Sequence, residues 1–542
     1  MLAVEEGLRV RVAHPSDRAA VRRARIVFDA GERGAWTVDL RDGTASFARG
    51  RAARPTATIY SDAATLVEVL SGRTTGVQAF LAGRLFMRGN IALALELDDL
   101  LPPPVRDPRA PRCHRVVAHG LRSFYLEAGR RGAPPVVLVH GLGATSASFL
   151  PTLWDLSRDH HVLAVDLPGF GETDKPVRPL HAMYYARWMS GFLDAVAVDR
   201  AHIVGNSMGG RVALEMGLRA PERVDRLALL APSLAWRRYR FGARLVRLLR
   251  PEIGALPLPM LHRLAVEVLR SLFAHPQRVA EAAMQAAADE FVRVFRTPRG
   301  RVAFFHAARE IYLEDPHGTR GFWDRLPSLS RPALFLFGDK DWLVPRTFLR
   351  HVRRALPDAE CEVFHECGHV PQFELPERTH ARIRSFFGGV TVRPATSGDV
   401  ADVVALVKQT LAEFGLAFGQ GSATDDELAR LPASYEQSGG AFWVAVDPGG
   451  KLLGTCGVQP VGAGTFELRK MYLRPGARGL GLGQRLLDEA LSWTRARGAR
   501  RMVLDTTEQM TRAIRFYEAN GFVRDDAQIR GARCSRGYVR EL

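Results

Sequence analysis

Two glycine-rich segments of the chain have the residue types and spacing of catalytic loops. Residues 205–209, G-N-S-M-G, follow an apolar run at Ile203 and precede a helical pattern. A G-x-S-x-G at a strand-to-helix turn exposes the serine hydroxyl, so Ser207 is a candidate nucleophile. Residues 478–483, R-G-L-G-L-G, also follow a strand-like run and open a helical pattern. The backbone N–H groups of such a loop can approach an anionic pyrophosphate.

The elements around Ser207 predict a parallel sheet covered by helices. Five apolar runs alternate with helical patterns: P-V-V-L-V-H, H-V-L-A-V-D, A-H-I-V-G, R-L-A-L-L-A and A-L-F-L-F-G. Continuous apolar runs are typical of strands buried on both faces. Prolines in residues 101–112 and the pair Gly388-Gly389 mark the two boundaries of this region. We therefore predict a multidomain α/β protein with domains at 1–104, 115–388 and 390–542 and a linker at 105–114.

Residues 115–388 resemble the α/β-hydrolase family along their whole length. Residues 140–143, H-G-L-G, are similar to the family's H-G-x-G, and residues 166–171, D-L-P-G-F-G, to a landmark that we interpret as structural. The resemblance implies that the backbone N–H groups of Leu142 and Met208 form an oxyanion hole, which stabilises the charge that develops on an attacked carbonyl.

The same resemblance supplies the two partners of Ser207. The segment G-D-K-D before V-P is similar to the family's acid loop, which points to Asp341, with Asp339 in the same loop as the alternative. Gly368-His369 resembles the family's histidine loop and points to His369 as general base, and His365 fits that loop less well. The order Ser, Asp, His along the chain is the order that this fold uses.

A helix-rich insertion at about residues 232–325 stands where the family carries its lid, and we expect it to cover the site. Its basic run, residues 236–250, has apolar residues at helical spacing. We predict that this stripe packs over the catalytic pocket, with a membrane-surface helix as the alternative. The stripe consists of Phe241, Leu245, Leu248 and Leu249.

Residues 390–525 resemble the GNAT acetyltransferase family. The glycine loop is similar to the family's R-x-x-G-x-G, and the segment from Ala513 to Phe522 is similar to its A-x-x-x-Y…G-F. The resemblance implies transfer of an acetyl group from acetyl-CoA, as co-substrate, to an amine. It assigns cofactor contacts to Met471, Leu473, Arg478, Gly479, Leu480, Gly481, Leu482 and Gly483.

The GNAT resemblance also implies catalytic roles for two residues. Tyr517 would protonate the leaving thiolate, and Glu467 would deprotonate the amine, directly or through water. The alternative is that Tyr517 packs as a hydrophobic residue and Glu467 is a solvated strand residue. Met510 stands where many relatives carry Asn, so one expected cofactor contact is absent.

Residues 20–101 resemble the sterol carrier protein type 2 family, in which helices close over a sheet to form an apolar lipid tunnel. Candidate tunnel residues, which are equally candidates for plain core, are Phe80, Leu85, Met87, Ile91 and Leu95. The family's usual N-terminal helix is predicted to be short or missing here. The order of strands and helices predicts an α+β fold with helices on one face of a sheet.

The net charge of +17 comes almost entirely from arginine, which is scattered along the chain. We interpret it as composition bias and expect no nucleic-acid partner. The five cysteines form no C-x-x-C pair, and no apolar run has the length of a signal peptide or membrane span, so we predict a cytoplasmic protein without a metal site or a membrane contact.

Together these features predict a bifunctional enzyme: a serine hydrolase of carboxylic esters or thioesters joined to an acetyl-CoA-dependent N-acetyltransferase, with a lipid-binding-like module. Its partners would be a small ester or acyl substrate, an amine acceptor and a lipid ligand. One alternative is an acyltransferase that uses the same Ser-His-Asp triad. The other is a lipid-binding scaffold with inactive enzymatic domains.

Overall fold

The computed structural model describes residues 2–21, 23–235, 250–257, 260–422 and 424–542, in two compact units, Met1–His380 and Ala381–Leu542. The first unit contains a five-stranded and an eight-stranded sheet, and the second contains a seven-stranded sheet. The predicted multidomain α/β fold class is confirmed. Within the described ranges, no helix combines the length and the apolar character needed to cross a bilayer.

The N-terminal sheet has the strand order β3-β2-β1-β4-β5. Strand β1 pairs antiparallel with β2 and parallel with β4, so the chain crosses over the sheet between them. The strands are Ala24–Asp29, Ala35–Arg41, Thr44–Arg49, Ala57–Ser61 and Leu85–Gly89. The helices of this region are Leu2–Ala13, Ala63–Ser71, Gly76–Leu81 and Ile91–Leu100.

An N-terminal helix is present, since Leu2–Ala13 forms a helix of 12 residues, so the expectation that it is missing is wrong. Val4, Leu8 and Arg11 form its buried face. Arg11 donates to the carbonyl oxygen of Leu101 and forms an ion pair with Asp98. An arginine counts as polar in a hydrophobic pattern, so the sequence conceals this face.

The sheet of the hydrolase-like region has the order β13-β12-β11-β10-β8-β9-β7-β6, and its first six strands are parallel. The five predicted apolar runs form β8 to β12, which are almost wholly buried. Strands β6 to β13 are Arg112–Ala118, Leu121–Ala128, Pro135–Val139, His161–Val165, Ala201–Asn206, Val224–Leu230, Ala333–Gly338 and Glu360–Phe364.

Helices cover this sheet and form the lid region. The covering helices are Leu150–Leu156, Ala182–Ala195, Met208–Arg219, Phe322–Arg325, Leu349–Ala355 and Pro371–Glu374. The described lid helices are His262–Arg270, Glu281–Phe295 and Pro298–Leu313. The predicted stripe of Phe241, Leu245, Leu248 and Leu249 lies outside the described residues.

The second unit has the strand order β14-β15-β16-β17-β18-β20-β19. Strand β17 runs parallel to β18 and pairs with it at Thr465 to Glu467, and among the described strands none pairs with the rest of β17 on that side. Strands β14 to β20 are Thr391–Pro394, Ala441–Val446, Leu452–Gly462, Thr465–Leu473, Arg501–Thr506, Val523–Arg524 and Arg536–Glu541. The helices are Val400–Ala412, Ala433–Glu436, Leu482–Arg495 and Thr511–Ala519, and Pro376–Phe387 spans the division between the units.

Candidate active sites

Ser207 lies at the sharp turn between β10 and the helix Met208–Arg219. Its backbone has φ of 53° and ψ of −117°, a conformation that residues with a side chain rarely adopt. Its N–H donates to Leu230 O at 3.0 Å, and its carbonyl oxygen accepts from Ser233 N at 2.9 Å. The surrounding backbone thus holds the strained turn, as is common at functional sites.

The two glycines that flank Ser207 stand at positions where no side chain fits. A Cβ atom on Gly209 would lie 2.0 Å from Val139 O, and one on Gly205 would lie 2.3 Å from Gly209 O. Both obstacles are backbone atoms of the central sheet or of the turn itself. The helix after Ser207 can therefore approach the strand only because these side chains are missing.

We expect Gly209→Ala to destabilise the first unit by about 3 kcal/mol or more, because the clash with Val139 must displace backbone. Thermal and urea unfolding, followed by circular dichroism, would measure the loss. Gly132→Ala is the matched control, since a Cβ atom there meets nothing within 4 Å. Equal stability of the two variants would contradict this reading of the turn.

Asp341 and His369 form a buried pair beside this turn. Nδ1 of His369 lies 2.8 Å from Oδ2 of Asp341, and because a carboxylate accepts, Nδ1 is the donor. The other oxygen, Oδ1, accepts from the backbone N–H groups of Leu343 and Val344, each at 2.9 Å. Asp341 is 5% exposed and His369 is 3% exposed. The bond fixes the tautomer that leaves Nε2 as the proton acceptor.

Two residues outside the predicted set hold the loop that carries His369. Asn206 donates from Nδ2 to the carbonyl oxygens of Leu230, at 3.0 Å, and His369, at 3.2 Å. Glu374 accepts from the N–H groups of Gly368, at 2.7 Å, and His275, at 2.6 Å. The sequence pointed to these roles only by position, because Asn206 is next to the nucleophile and Glu374 follows the histidine by a few residues.

The alternative acid and base pair with each other instead. Nδ1 of His365 lies 2.7 Å from Oδ2 of Asp339, and His365 is 79% exposed. The side-chain atoms of Asp339, His365 and Glu366 that could bind a metal ion lie within 4.8 Å of one another. Glu366 already forms an ion pair of 3.1 Å with Lys340. This cluster lies at the surface and does not join the cavity at Ser207 described below.

The two N–H groups predicted to form the oxyanion hole belong to Leu142, beside Ser207 in the same cavity, and Met208, the first residue of the following helix. In the part of the chain that the structure describes, the Leu142 N–H donates to no other backbone group, and Met208, as the first residue of its helix, has no acceptor within that helix. His140 holds the Leu142 loop. Its Nε2 accepts from Leu167 N at 3.0 Å, and its Nδ1 donates to Gly141 O at 2.7 Å. Burial lowers the pKa of His140 to about 4, so its ring is neutral and structural.

Ser207 and His369 open into one apolar cavity of about 420 Å³. This volume lies within the range of small-molecule sites. Side chains of the lid helices form much of its wall, as the sequence predicts for a lid. The apolar lining includes Leu142, Leu150, Leu269, Phe273, Met284, Phe291, Phe304, Ile311 and Val370.

The glycine loop of the second unit lies between β17 and the helix Leu482–Arg495. Gly479 and Gly481 have φ of 82° and 71°, in the left-handed region, and Gly481 is the residue that caps the helix. A Cβ atom on Gly483 would contact the side chains of Leu473, at 3.5 Å, and Met471, at 3.7 Å. Gly483, Met471, Leu473 and Arg478, whose Nε donates to Leu473 O, are therefore together at the carboxyl end of β17.

The charged residues near this loop are already paired. Arg478 forms an ion pair of 2.7 Å with Glu413. Glu467 is buried rather than solvated, and its Oε2 lies 2.6 Å from Nη2 of Arg469. Tyr517 is buried in the core against Phe516 and Phe522, and this burial raises the pKa of its hydroxyl.

Comparison with known families divides the chain into three matched regions. Residues 9–102 match the SCP-2 sterol transfer family. Residues 134–376 match the alpha/beta hydrolase fold, and residues 409–522 match the acetyltransferase (GNAT) family. All three predicted resemblances, and their order along the chain, are confirmed.

Two bacterial relatives match about half of the chain. The dihydrolipoyllysine-residue acetyltransferase component of the acetoin cleaving system of Pseudomonas putida is 30% identical over 280 residues, which cover 51% of this chain and 69% of that protein. A 2-hydroxy-6-oxononadienedioate/2-hydroxy-6-oxononatrienedioate hydrolase of Paraburkholderia phymatum is 29% identical over 286 residues, covering 49% and 91%.

Solved structures with a similar fold include a membrane phospholipase A, with 25% identity, a TM-score of 0.43 and coverage of 60% of this chain and 95% of that one. Another is the enol-lactonase of Burkholderia xenovorans, with 23% identity, a TM-score of 0.42 and coverage of 51% and 99%. By the family and sequence matches, this chain belongs to the α/β hydrolase fold family, and it carries that domain between an SCP-2 sterol transfer domain and a GNAT acetyltransferase domain.

Proposed function

We propose that the central domain hydrolyses carboxylic esters or thioesters, with Ser207 as nucleophile, His369 as general base and Asp341 as the residue that orients the histidine. The observation that carries this proposal is the buried Asp341–His369 bond beside the strained turn of Ser207, at the wall of one cavity. A scaffold protein without activity would not need a strained turn or a buried aspartate–histidine hydrogen bond at this place.

The reaction proceeds in two acyl-transfer steps. Nε2 of His369 takes the proton of Ser207 as Oγ attacks the acyl carbon, and the N–H groups of Leu142 and Met208 bind the oxyanion. The intermediate collapses, and His369 protonates the leaving alcohol or thiol. The same histidine then deprotonates a water, which attacks the acyl-enzyme and releases the acid and Ser207.

A chain-length series of p-nitrophenyl esters tests this proposal. We expect turnover of esters with apolar acyl groups, because the wall of the cavity is mainly apolar. Product analysis with added alcohols separates water from an alcohol as the acceptor. Absence of turnover at every chain length would count against ester hydrolysis.

We propose that the C-terminal domain transfers an acetyl group from acetyl-CoA to an amine, with residues 478–483 as the pyrophosphate loop. Tyr517 acts as the acid, since its raised pKa keeps the hydroxyl protonated until the thiolate leaves. Glu467 accepts the proton of the amine through water, and Arg469 holds its carboxylate in place by the ion pair.

We expect Gly481→Ala to weaken acetyl-CoA binding about tenfold, because the left-handed backbone at this position disfavours any residue with a Cβ atom. Isothermal titration calorimetry with acetyl-CoA would measure the change. Gly476→Ala, in the turn before the loop, is the control, since a Cβ atom there meets nothing within 4 Å. Equal affinity in both variants would argue against this loop as the binding site.

We propose a cytoplasmic location for the enzyme and apolar acyl compounds as its substrates. The five cysteines are all free, as is typical of proteins in reducing compartments. The N-terminal domain, by its family, supplies apolar surface for such compounds.

A further inference from the structure

The wall of the hydrolase cavity includes two residues that come from the N-terminal domain. Phe80, in the helix Gly76–Leu81, and Ile91, at the start of the helix Ile91–Leu100, line the same cavity as Ser207 and His369. Both had been candidates for a lipid tunnel inside their own domain. They instead complete a pocket whose nucleophile lies in the next domain.

The lid helix Glu281–Phe295 fixes the N-terminal domain at this place. Asp289 of the lid helix accepts from Arg88 Nε at 2.7 Å and from Gly89 N at 2.8 Å, and it lies 3.0 Å from His262 Nε2. The next residue, Glu290, accepts from Ile91 N at 3.3 Å. Asp289 and Glu290 are buried, so these bonds are shielded from water and hold the two domains in one arrangement.

The other candidate tunnel residues do not enclose a comparable space. Leu85, Met87 and Leu95 line a cavity of about 30 Å³ between the N-terminal sheet and its helices. A space of this size accommodates one or two water molecules and no acyl chain. Among the candidate tunnel residues, Phe80 and Ile91 thus line the larger space, and that space is the cavity at Ser207.

We propose that the N-terminal domain is a fixed wall of the acyl pocket and selects the substrate by acyl chain length. The preferred substrates are esters with unbranched acyl chains long enough to reach Phe80 and Ile91 from Ser207. This inference rests on the proposed hydrolase function. It assigns the domain to substrate selection within the active site, in place of carriage of a separate lipid.

Substitutions in the wall test the proposal with p-nitrophenyl esters from acetate to palmitate. Phe80→Ala lowers kcat/KM about tenfold for the best wild-type chain and moves the optimum to longer chains, because it removes contacts and adds space. Ile91→Trp moves the optimum to shorter chains. We expect both changes to affect the acetate ester, the shortest of the series, less than the long-chain esters, so the ratio of their kcat/KM values is the readout. Phe86→Ala is the control, since Phe86 lines a different cleft of the same domain with Tyr60.

The contact on the lid helix gives a second variant. Asp289→Ala removes the acceptor of Arg88 and Gly89, so we expect the selectivity between long and short esters to fall about tenfold, as in Phe80→Ala. Glu281→Ala is its control, because Glu281 is exposed on the same helix and pairs with Arg270. Unchanged chain-length profiles in Phe80→Ala, Ile91→Trp and Asp289→Ala would overturn the proposal.

A binding measurement separates this inference from the hydrolase function. Dansyl-labelled undecanoic acid, titrated into the full chain with Ser207→Ala and followed by fluorescence, needs no turnover. We expect Ile91→Trp and Phe80→Ala to weaken its binding about tenfold, and Phe86→Ala to leave it unchanged. Weakened binding without ester turnover in the wild type would uphold the wall and reject the hydrolase. Ester turnover in the wild type, with binding and chain-length profiles unchanged in the variants, would support the hydrolase and reject the N-terminal wall.

Discussion

Ser207→Ala is expected to lower ester hydrolysis by about 10⁴-fold or more, because no covalent acyl-enzyme can form without the hydroxyl. The residual rate would come from binding and from the N–H groups of Leu142 and Met208, which the substitution leaves in place. Initial rates with the preferred p-nitrophenyl ester would give the ratio. Mass spectrometry after a short incubation should show the acylated wild-type chain and an unmodified variant.

Ser148→Ala is the matched control for this loss. Ser148 lines the same cavity, but its hydroxyl donates to Thr145 O at 2.7 Å and serves the local turn. We expect it to keep most of the wild-type activity. Comparable losses in both variants would mean that the cavity, rather than one hydroxyl, had been damaged, and the assignment of the nucleophile would fall.

Asp341→Asn is expected to lower kcat by up to about 10⁴-fold with little change in stability. The amide keeps the size of the side chain, but its charge is lost and it no longer stabilises the imidazolium that forms when His369 takes the proton. An amide N–H facing Nδ1 would also favour the wrong tautomer. The pH dependence of kcat/KM, measured beside thermal unfolding, would separate this effect from a general loss of fold.

Asp339→Asn provides the comparison within one loop. Asp339 pairs with the exposed His365, away from the cavity of Ser207. Loss of the Asp339 charge should therefore change kcat only a few-fold, which corresponds to about 1 kcal/mol or less in activation free energy. If Asp339→Asn abolished activity and Asp341→Asn did not, the two aspartates would exchange roles. His365→Gln and His369→Gln repeat the comparison on the base.

Much of the geometry of the candidate hydrolase site could be predicted, because short local segments determine its turn and its strands. The turn at Ser207 needs small neighbours within two residues, and its strands are continuous apolar runs. Asp341 and His369 lie far apart in sequence, and only the family resemblance connected them before the structure did. Asn206 and Glu374 escaped prediction because they act by hydrogen bonds to backbone groups, which no side-chain pattern specifies.

The position of the N-terminal domain could not be predicted from its own sequence. Phe80 and Ile91 are apolar residues on helices, and such residues can be buried equally well in the core of their own domain or against another domain. The N-terminal helix was predicted to be short or missing for a related reason, since buried Arg11 breaks its hydrophobic pattern. In the second unit, the proposed base Glu467 shares its strand with Arg469, and the sequence did not reveal that they pair.

The two sides of the contact between the lid helix and the N-terminal domain use different kinds of hydrogen-bonding group. On the lid helix it depends on the carboxylates of Asp289 and Glu290, whereas two of the opposing donors are the main-chain N–H groups of Gly89 and Ile91. The N–H of Ile91 survives most changes of its side chain, whereas a carboxylate is lost with its residue. Gly89 is constrained for a different reason, because a Cβ atom there would lie 2.6 Å from Thr56 O. At this contact we therefore expect evolution to retain Asp289 and Glu290 more strictly than the side chain of Ile91, whose N–H is the donor.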